Sequence, residues 1–435
     1  METRTDSWLR TFLVIFTGQT FSLLGSSAVN FALVWWLTAE TGSATILAYA
    51  SIAAILPQAL LGPIAGPFVD RWSRRLTMIV ADLAIAATSV WLWLAFAQGA
   101  PPVVLVIFII ALRSAGAAFH TPASQAAVPM YVPAEHLMRV AGWNFFMSSG
   151  VAMAGPVLGA FLMAAASMTA VIAVDLVGAA IAVTSLVVVR IPNPQRADSD
   201  SGSIDFVAEF IDGWRELLRH RGLFDLTLVL AAVTLLYMPL NALFPLMTFA
   251  HFGGGAADAS YVEVAFGAGM LVGSMAIGFM TARVSGVRLI CTGILVIGVA
   301  LAAAGMLPVS GFWVFVALCV VMGISVPLFG APITAMFQGL VDPAKLGRVM
   351  SLYMTIAMLA APVGLVVAGP LAERFGVAVW FAISGALIAG TGLLAWSLPA
   401  VRALDGALEA ATTDVDPMRP NNDFDTDKPR RSEVI

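Results

Sequence analysis

Long apolar runs, separated by short stretches of charged residues, Pro and Gly, follow one another along this chain. Punctuating at those breaks predicts twelve helices, over about 12–38, 44–68, 76–98, 102–123, 137–165, 168–190, 223–250, 259–283, 287–307, 312–336, 347–371 and 375–398. Each is about 20 residues or longer, the length that carries a helix across the hydrocarbon of a bilayer. A helix also satisfies its own backbone hydrogen bonds in lipid. The apolar positions are continuous and not alternating, which argues against a β-barrel. The pattern predicts an all-α membrane protein with 12 transmembrane helices.

Composition agrees with the pattern. The 435 residues are 60% hydrophobic and 11% charged, whereas soluble domains are about 45–50% apolar and about 25% charged. Mean hydropathy is +0.92. The first run is preceded by Glu2, Arg4, Asp6 and Arg10, and Gln19 and Asn30 interrupt it. It is too long for a signal-peptide core and reads as a retained helix. Cys291 and Cys319 both fall inside apolar runs, as small buried side chains with no disulfide framework.

The placement of charge orients the spans. An even number of spans puts both termini on one side. Of the 22 basic residues, 20 fall on that side, Arg374 alone falls on the other, and Arg113 sits within a span. Basic residues are retained on the cytoplasmic side, so both termini are expected in the cytoplasm. The predicted organisation is a cytoplasmic N-terminus (1–11), a six-helix half (12–190), a cytoplasmic central loop (191–222), a second six-helix half (223–398) and a disordered cytoplasmic tail (399–435). The second part of the loop is amphipathic, with Val207, Phe210, Ile211, Trp214, Leu217 and Leu218 on one helical face suited to a membrane surface.

The halves echo each other. VPAEHLMRVAG (132–142) matches VDPAKLGRVMS (341–351) at an offset of 209, and GPFVDR (66–71) matches GFMTAR (278–283) at 212. Two matches at nearly one offset indicate two six-helix pseudo-repeats. Such duplication recurs in secondary transporters, whose sites lie near the midplane between the halves.

Three features carry chemistry. Between spans 2 and 3 the chain reads Gly66-x-x-x-Asp70-Arg71-x-x-Arg74-Arg75. The arginines anchor this loop in the cytoplasm, and Asp70 stands where it can meet the positive end of a neighbouring helix, with span 11 starting on this side. Span 5 carries Gly150, Gly155, Pro156 and Gly159, whose small residues permit tight packing and whose proline bends the helix. Arg113 lies in the middle of span 4, and an intramembrane cation marks a functional site. Its acid partner is open among Asp82 in span 3, Asp175 in span 6 and Glu263 in span 8. His120, near the end of span 4, is expected to cap a helix or face water.

The loop signature resembles that of the major facilitator superfamily, and its echo falls between spans 8 and 9 as in that family, with Ala282 in place of the acid. The span 5 pattern is similar to the antiporter motif of drug:proton exporters. The stretches GQTFSLLGSSAVNFALVWWLTAETGSA (18–44), AAFHTPASQAAVP (117–129) and YMPLNALFPLMTFAHFGGGA (237–256) resemble the macrolide-efflux branch of those exporters. The resemblance implies the major facilitator fold, a cytoplasmic gate at Gly66, Asp70, Arg71, Arg74 and Arg75, and proton coupling through Arg113 with Asp82, Asp175 or Glu263. It implies a cavity lined by spans 1, 4, 7 and 10. Candidates on those spans are Gln19, Ser26 and Asn30; Tyr237, Asn241 and Phe244; and Phe329 and Met336. Met and aromatic walls suit bulky, varied, amphiphilic ligands. The implied activity is export of hydrophobic drugs, macrolide-like ones favoured, by proton antiport across a bacterial inner membrane. A siderophore or lysolipid exporter, a passive facilitator and a non-transporting receptor or scaffold are the alternatives.

Other classes find no support. Neither lysine, Lys345 or Lys428, sits in a P-loop, so no ATP site is visible. The four histidines show no metal spacing, and no nucleophile–base constellation or basic, aromatic-interleaved nucleic-acid segment is present. No cofactor is expected. The partners are a hydrophobic small molecule, protons and the lipid bilayer, and a monomer suffices because two halves can enclose a path.

Overall fold

In the computed structural model, residues 4–189, 191, 214–280 and 284–414 are described. Twelve helices among the described residues are long and apolar enough to cross a membrane. The first half contains α1 (Arg4–Thr41), α2 (Ala44–Arg71), α3 (Arg74–Ala97), α4 (Val103–Tyr131), α5 (Leu137–Ala165) and α6 (Met168–Val188). The second contains α7 (Arg221–Ala242), α8 (Ala256–Met280), α9 (Gly286–Gly305), α10 (Phe312–Leu340), α11 (Pro343–Phe375) and α12 (Val377–Ser397). The expected spans are all present. Several run longer than the sequence pattern predicts, as α4 does, reaching Tyr131.

Helix starts follow local chemistry. Ser43, Ser73 and Ser167 stand at the N-caps of α2, α3 and α6, and each side chain accepts a bond from an orphan backbone N–H. Tight turns use glycine, as at Gly376 between α11 and α12, with φ of 90°. Large apolar side chains such as Leu60, Val80 and Phe161 point outward from the bundle, the inverse of a soluble surface and the face expected for lipid.

Span 7 departs from the expected continuous helix. It breaks at Leu243, between Pro239 and Pro245, then resumes as a short turn, Phe244–Leu246, and a π-helical turn, Met247–His251. Each proline removes a backbone donor, so the ladder cannot run through. Irregular backbone in a membrane is tolerated where it is enclosed by protein or lines a cavity.

The halves pack alike. A Cβ on Gly155 of α5 would collide with Ser27 of α1, and one on Gly364 of α11 would collide with Leu235 of α7. These contacts repeat at nearly the offset of the sequence echo. Between the halves, α2 runs against α11 and α5 against α8. Gly369 of α11 approaches Thr45 and Ala48 of α2, and Gly267 of α8 approaches Met153 of α5. Gly269 and Gly273 of α8 pack on α10 at Val320 and Ile324.

The chain beyond span 12 also differs from expectation. Residues 399–414, assigned to a disordered tail, form a further helix, α13 (Pro399–Asp414). Val401 and Leu404 are buried, and Asp405 Oδ1 accepts from the Val287 N–H at 3.1 Å, capping α9. The apolar face of a short amphipathic helix has found a protein surface to cover. In the central loop, residues 214–219 are helical, with Leu217 buried and Leu218 exposed; Val207, Phe210 and Ile211 lie outside the described residues.

Candidate functional site

Arg113 of α4 reaches Asp175 of α6, with Nη1 2.9 Å from Oδ2. The same carboxylate accepts from Ser89 of α3 and Ser26 of α1, each at 2.7 Å. Arg113 also donates to Ser89 and, at 3.1 Å, to Ser26. Four helices of the first half thus meet in one closed network. Arg113 and Asp175 are 8% and 2% exposed, so the pair is held almost entirely out of water. Glycine makes this possible: Gly25 lies against the Asp175 backbone, and Gly178 against Phe21. A Cβ at either would push α6 off α1 and pull the carboxylate out of reach.

Asp82, the other candidate in this half, has different partners. Gln19 of α1 donates to it at 3.4 Å, and His120 Nε2 of α4 lies 3.3 Å from its Oδ1. His120 therefore neither caps a helix nor faces bulk water. Its neighbour is an acid in another span, a contact that no local sequence feature announces. Both acids, Arg113, Gln19, Ser26 and His120 line one polar cavity of about 230 Å³, together with Gln58 and Ser114. The last two were not singled out from the sequence. Gln58 is a polar side chain within an apolar stretch of span 2, and Ser114 adjoins Arg113; that is the signal available for finding them.

A second cavity of about 400 Å³ lies between the halves. It shares Asn30, Ala54 and Ile110 with the first, so the two adjoin. Asn30, Asn241 and Glu263 bring polar groups to it from α1, α7 and α8, and Pro156 of α5 forms part of its wall. Asn241 sits where α7 breaks. Phe31, Val34, Ile55, Met238 and Leu365 make the rest largely apolar. Such a chamber, with few polar groups on apolar walls, has the make-up of a small-molecule site.

Other expected cavity residues lie elsewhere. Phe244 is buried among Phe266, Phe315 and Phe381 in the core of the second half. Met336 is buried against Gly286. Phe329 is half-buried and packs on that same core. Tyr237 packs on it as well, but lies beside Asn241 and Glu263 at the edge of the cavity. A stripe read at helical spacing cannot say which way the helix is turned, and the break in α7 turns Phe244 away from Asn241.

In the span 5 motif, a Cβ on Gly155 would meet Ser27, and one on Gly159 would come within 2.7 Å of the Ala28 carbonyl. These two glycines seat α5 on α1. Gly150 has open space around it and lines an outward groove between α5 and α8. In the loop signature, Gly66, Asp70 and Arg71 lie within α2, and their side chains are outside the described residues. Arg74 donates to the Ala126 carbonyl at 2.8 Å; Arg75 donates to the carbonyls of Leu186, at 2.6 Å, and Val187. These bonds tie the loop to α4 and α6 of its own half. Arg283 and Ala282 of the echo lie outside the described residues.

Two contacts that sequence reading missed join separate parts of the bundle. At the face opposite the termini, the Glu373 carboxylate of α11 accepts from Ser43, from the Thr45 hydroxyl at 2.8 Å and from the Thr45 N–H at 3.4 Å, so it sits on the N-terminus of α2. On the termini face, Glu216 of the central loop meets Lys345 at 2.8 Å and Arg219 at 3.3 Å. The Lys345 hydrogen bond leads in holding the Glu216 carboxyl below its ordinary value. Glu373 next to Arg374, the one basic residue that the sequence places on that face, was the available signal for the first contact.

Comparison with known proteins fits this geometry. The model of the Major Facilitator Superfamily matches residues 15–255 and 226–428. Macrolide efflux protein A of Streptococcus pyogenes is 38% identical over 402 residues, covering 92% of this chain and 98% of that protein. The protein of that name from Enterococcus faecalis is 39% identical over 326 residues, 74% of this chain and 100% of its own length. The multidrug efflux pump Tap of Mycobacterium tuberculosis is 28% identical over 419 residues, 92% of this chain and 96% of Tap. Among solved structures, a peptide transporter superposes with a TM-score of 0.69 at 12% identity, covering 92% and 95% of the two chains. An inward-facing bacterial homologue of the human lysosomal transporter Spinster gives 0.66 at 14%, covering 95% and 98%. Those likenesses concern the fold alone. Matched by the family model in both halves, the chain belongs to the Major Facilitator Superfamily, as a multi-pass transporter that resembles the macrolide-efflux proteins.

Proposed function

We propose that this protein exports hydrophobic or amphiphilic compounds, macrolide-like drugs among them, across a bacterial cytoplasmic membrane in exchange for protons. The observation that carries the reading is the buried Arg113–Asp175 pair beside a largely apolar cavity between the halves. Its relatives are named as macrolide and multidrug efflux proteins. Both termini lie in the cytoplasm, where positive charge is retained, and one chain forms the whole path.

The coupling runs through α1. A proton delivered to Asp175 removes the charge that holds Arg113, and Ser26 loses its bond to a carboxylate at the same moment. Asn30 lies one turn further along α1 and faces the cavity. Protonation is thereby transmitted to a wall of the substrate site, as alternating access requires. The outer face is held shut by Glu373 on the start of α2. The inner face closes through Asp70 with Arg71, and Arg74 and Arg75 brace the loop that carries them.

The test is accumulation of a labelled macrolide in a drug-sensitive bacterial host expressing the protein, before and after a protonophore, with Arg113→Ala as control. Low accumulation that rises on collapsing the gradient, and in the mutant, is the expected result. No difference from empty cells despite confirmed expression would remove the macrolide assignment. Export indifferent to the protonophore would remove proton antiport.

A further inference from the structure

Two polar layers cross the first half. Ser26 of α1, Ser89 of α3 and Arg113 of α4 gather around Asp175. Gln19 of α1 and His120 of α4 gather around Asp82 of α3. On each of the three shared helices the two layers are seven residues apart: Gln19 and Ser26, Asp82 and Ser89, Arg113 and His120. Seven residues make about two helical turns, so each pair shares a face and spans about 10 Å along its helix. Since α1 and α3 start at the termini face and α4 ends there, the Asp82–His120 layer lies on the termini side of Asp175.

One cavity of about 230 Å³ joins the layers. Its charged or titratable side chains are Arg113, Asp175, Asp82 and His120, while α1 and α2 bring neutral groups such as Gln19 and Gln58. Thr121, beside His120 in the cavity wall, is exposed, so water reaches this end. A water takes up about 30 Å³ and needs polar partners, so several fit between the layers. For Asp175 to act in a second cycle, its proton must leave toward the cytoplasm. Direct transfer to a second side chain needs hydrogen-bond reach, which the spacing of the layers exceeds. Imidazole both takes up and releases a proton near neutral pH, and Asp82 supplies a counter-charge while the ring holds one.

We propose that Asp82 and His120 form a proton-transfer station between Asp175 and the cytoplasm. The O–H bond at Asp175 breaks, cavity water carries the proton, and an N–H bond forms on the neutral His120 ring beside ionised Asp82. Asp175 regains its charge and its hold on Arg113. The N–H bond then breaks and the proton passes to water on the termini side. One proton enters and one leaves. The station rests on the proton-antiport reading and adds to it a path of exit.

The test uses the purified full chain in proteoliposomes, with labelled erythromycin, a macrolide, as probe and an imposed proton gradient. His120→Ala should slow gradient-driven transport about tenfold or more, because a positioned acid–base group speeds proton transfer by about 100-fold or more. Added imidazole should restore part of that rate, measured against the parent at the same imidazole concentration to correct for the drain on the gradient. His120→Gln, which can hydrogen-bond Asp82 but cannot carry a proton, should be as slow as His120→Ala. Transport at the parent rate in His120→Gln overturns the proposal, since a structural contact would then suffice. A loss in His120→Ala that imidazole leaves unchanged also overturns it. The parent tests the antiport reading separately: exchange of labelled for unlabelled erythromycin with no response to the gradient would remove antiport and the station with it.

Discussion

Removing Asp175 should destabilise the protein more than removing Arg113, although the two form one pair. Asp175→Asn leaves the guanidinium buried at 8% exposure with no counter-charge, and arginine cannot shed its proton. Breaking a buried pair this way costs about 3–5 kcal/mol. The adjoining polar cavity of about 230 Å³ admits water to the network, which places the expected loss near the lower end, about 3 kcal/mol. Arg113→Met leaves a carboxyl group that can take up a proton and keep hydrogen bonds with Ser26 and Ser89. Its loss should be near that of a buried hydrogen-bond deletion, about 1–2 kcal/mol. The double variant carries no charge at this point, so its loss should fall short of the sum by about 2 kcal/mol, within the range for residues in direct contact. The assay is unfolding of each purified variant in mixed micelles on titration with dodecyl sulfate, followed by tryptophan fluorescence at neutral pH. Additivity of the single losses to within about 0.5 kcal/mol, or equal losses for the two single variants, would refute the reasoning. It would mean that water already solvates both charges.

Three further outcomes follow from particular contacts. Gly155→Ala should abolish most transport while membrane expression persists, because its Cβ would enter the space of Ser27; Gly150→Ala, which meets nothing within 4 Å, should transport like the parent. Equal effects in a transport assay would disprove the assignment of Gly155 to the α1–α5 contact. Glu373→Gln should favour the outward-open form, since each bond from Ser43 or Thr45 to a charged acceptor weakens; faster thiol labelling of a cysteine placed in the outer half of the cavity measures this, and an unchanged rate counts against the outer latch. The Glu216 carboxyl is held low chiefly by the Lys345 hydrogen bond, so the tie between central loop and α11 is present at neutral pH and is lost as pH falls through that depressed value. Trp214, edge-on to Phe224, reports the loss: its emission should change at a pH below the ordinary glutamate range, and Lys345→Ala should move the change to higher pH.

What the chain determines by itself is set by solvent. Whether a stretch of about 20 residues enters lipid is a sum over its own side chains, so the twelve spans and the twofold echo could be read without coordinates. The excess of arginine toward one face could be read in the same way. Mid-span polar residues such as Arg113, Asp175 and Glu263 stood out because each is expensive in lipid. Tertiary structure alone decided who meets whom. Arg113 chose Asp175 over Asp82 because Gly25 and Gly178 let α6 lie against α1. Phe244 and Met336 became core, because the break in α7 and the packing of α10 turned them inward. Residues 399–414 became a helix because Val401 and Leu404 found a protein surface and Asp405 an uncapped helix end. Hydropathy adds up locally. Helix rotation and the choice of partner depend on the shape of the neighbouring helix, which hydropathy does not carry.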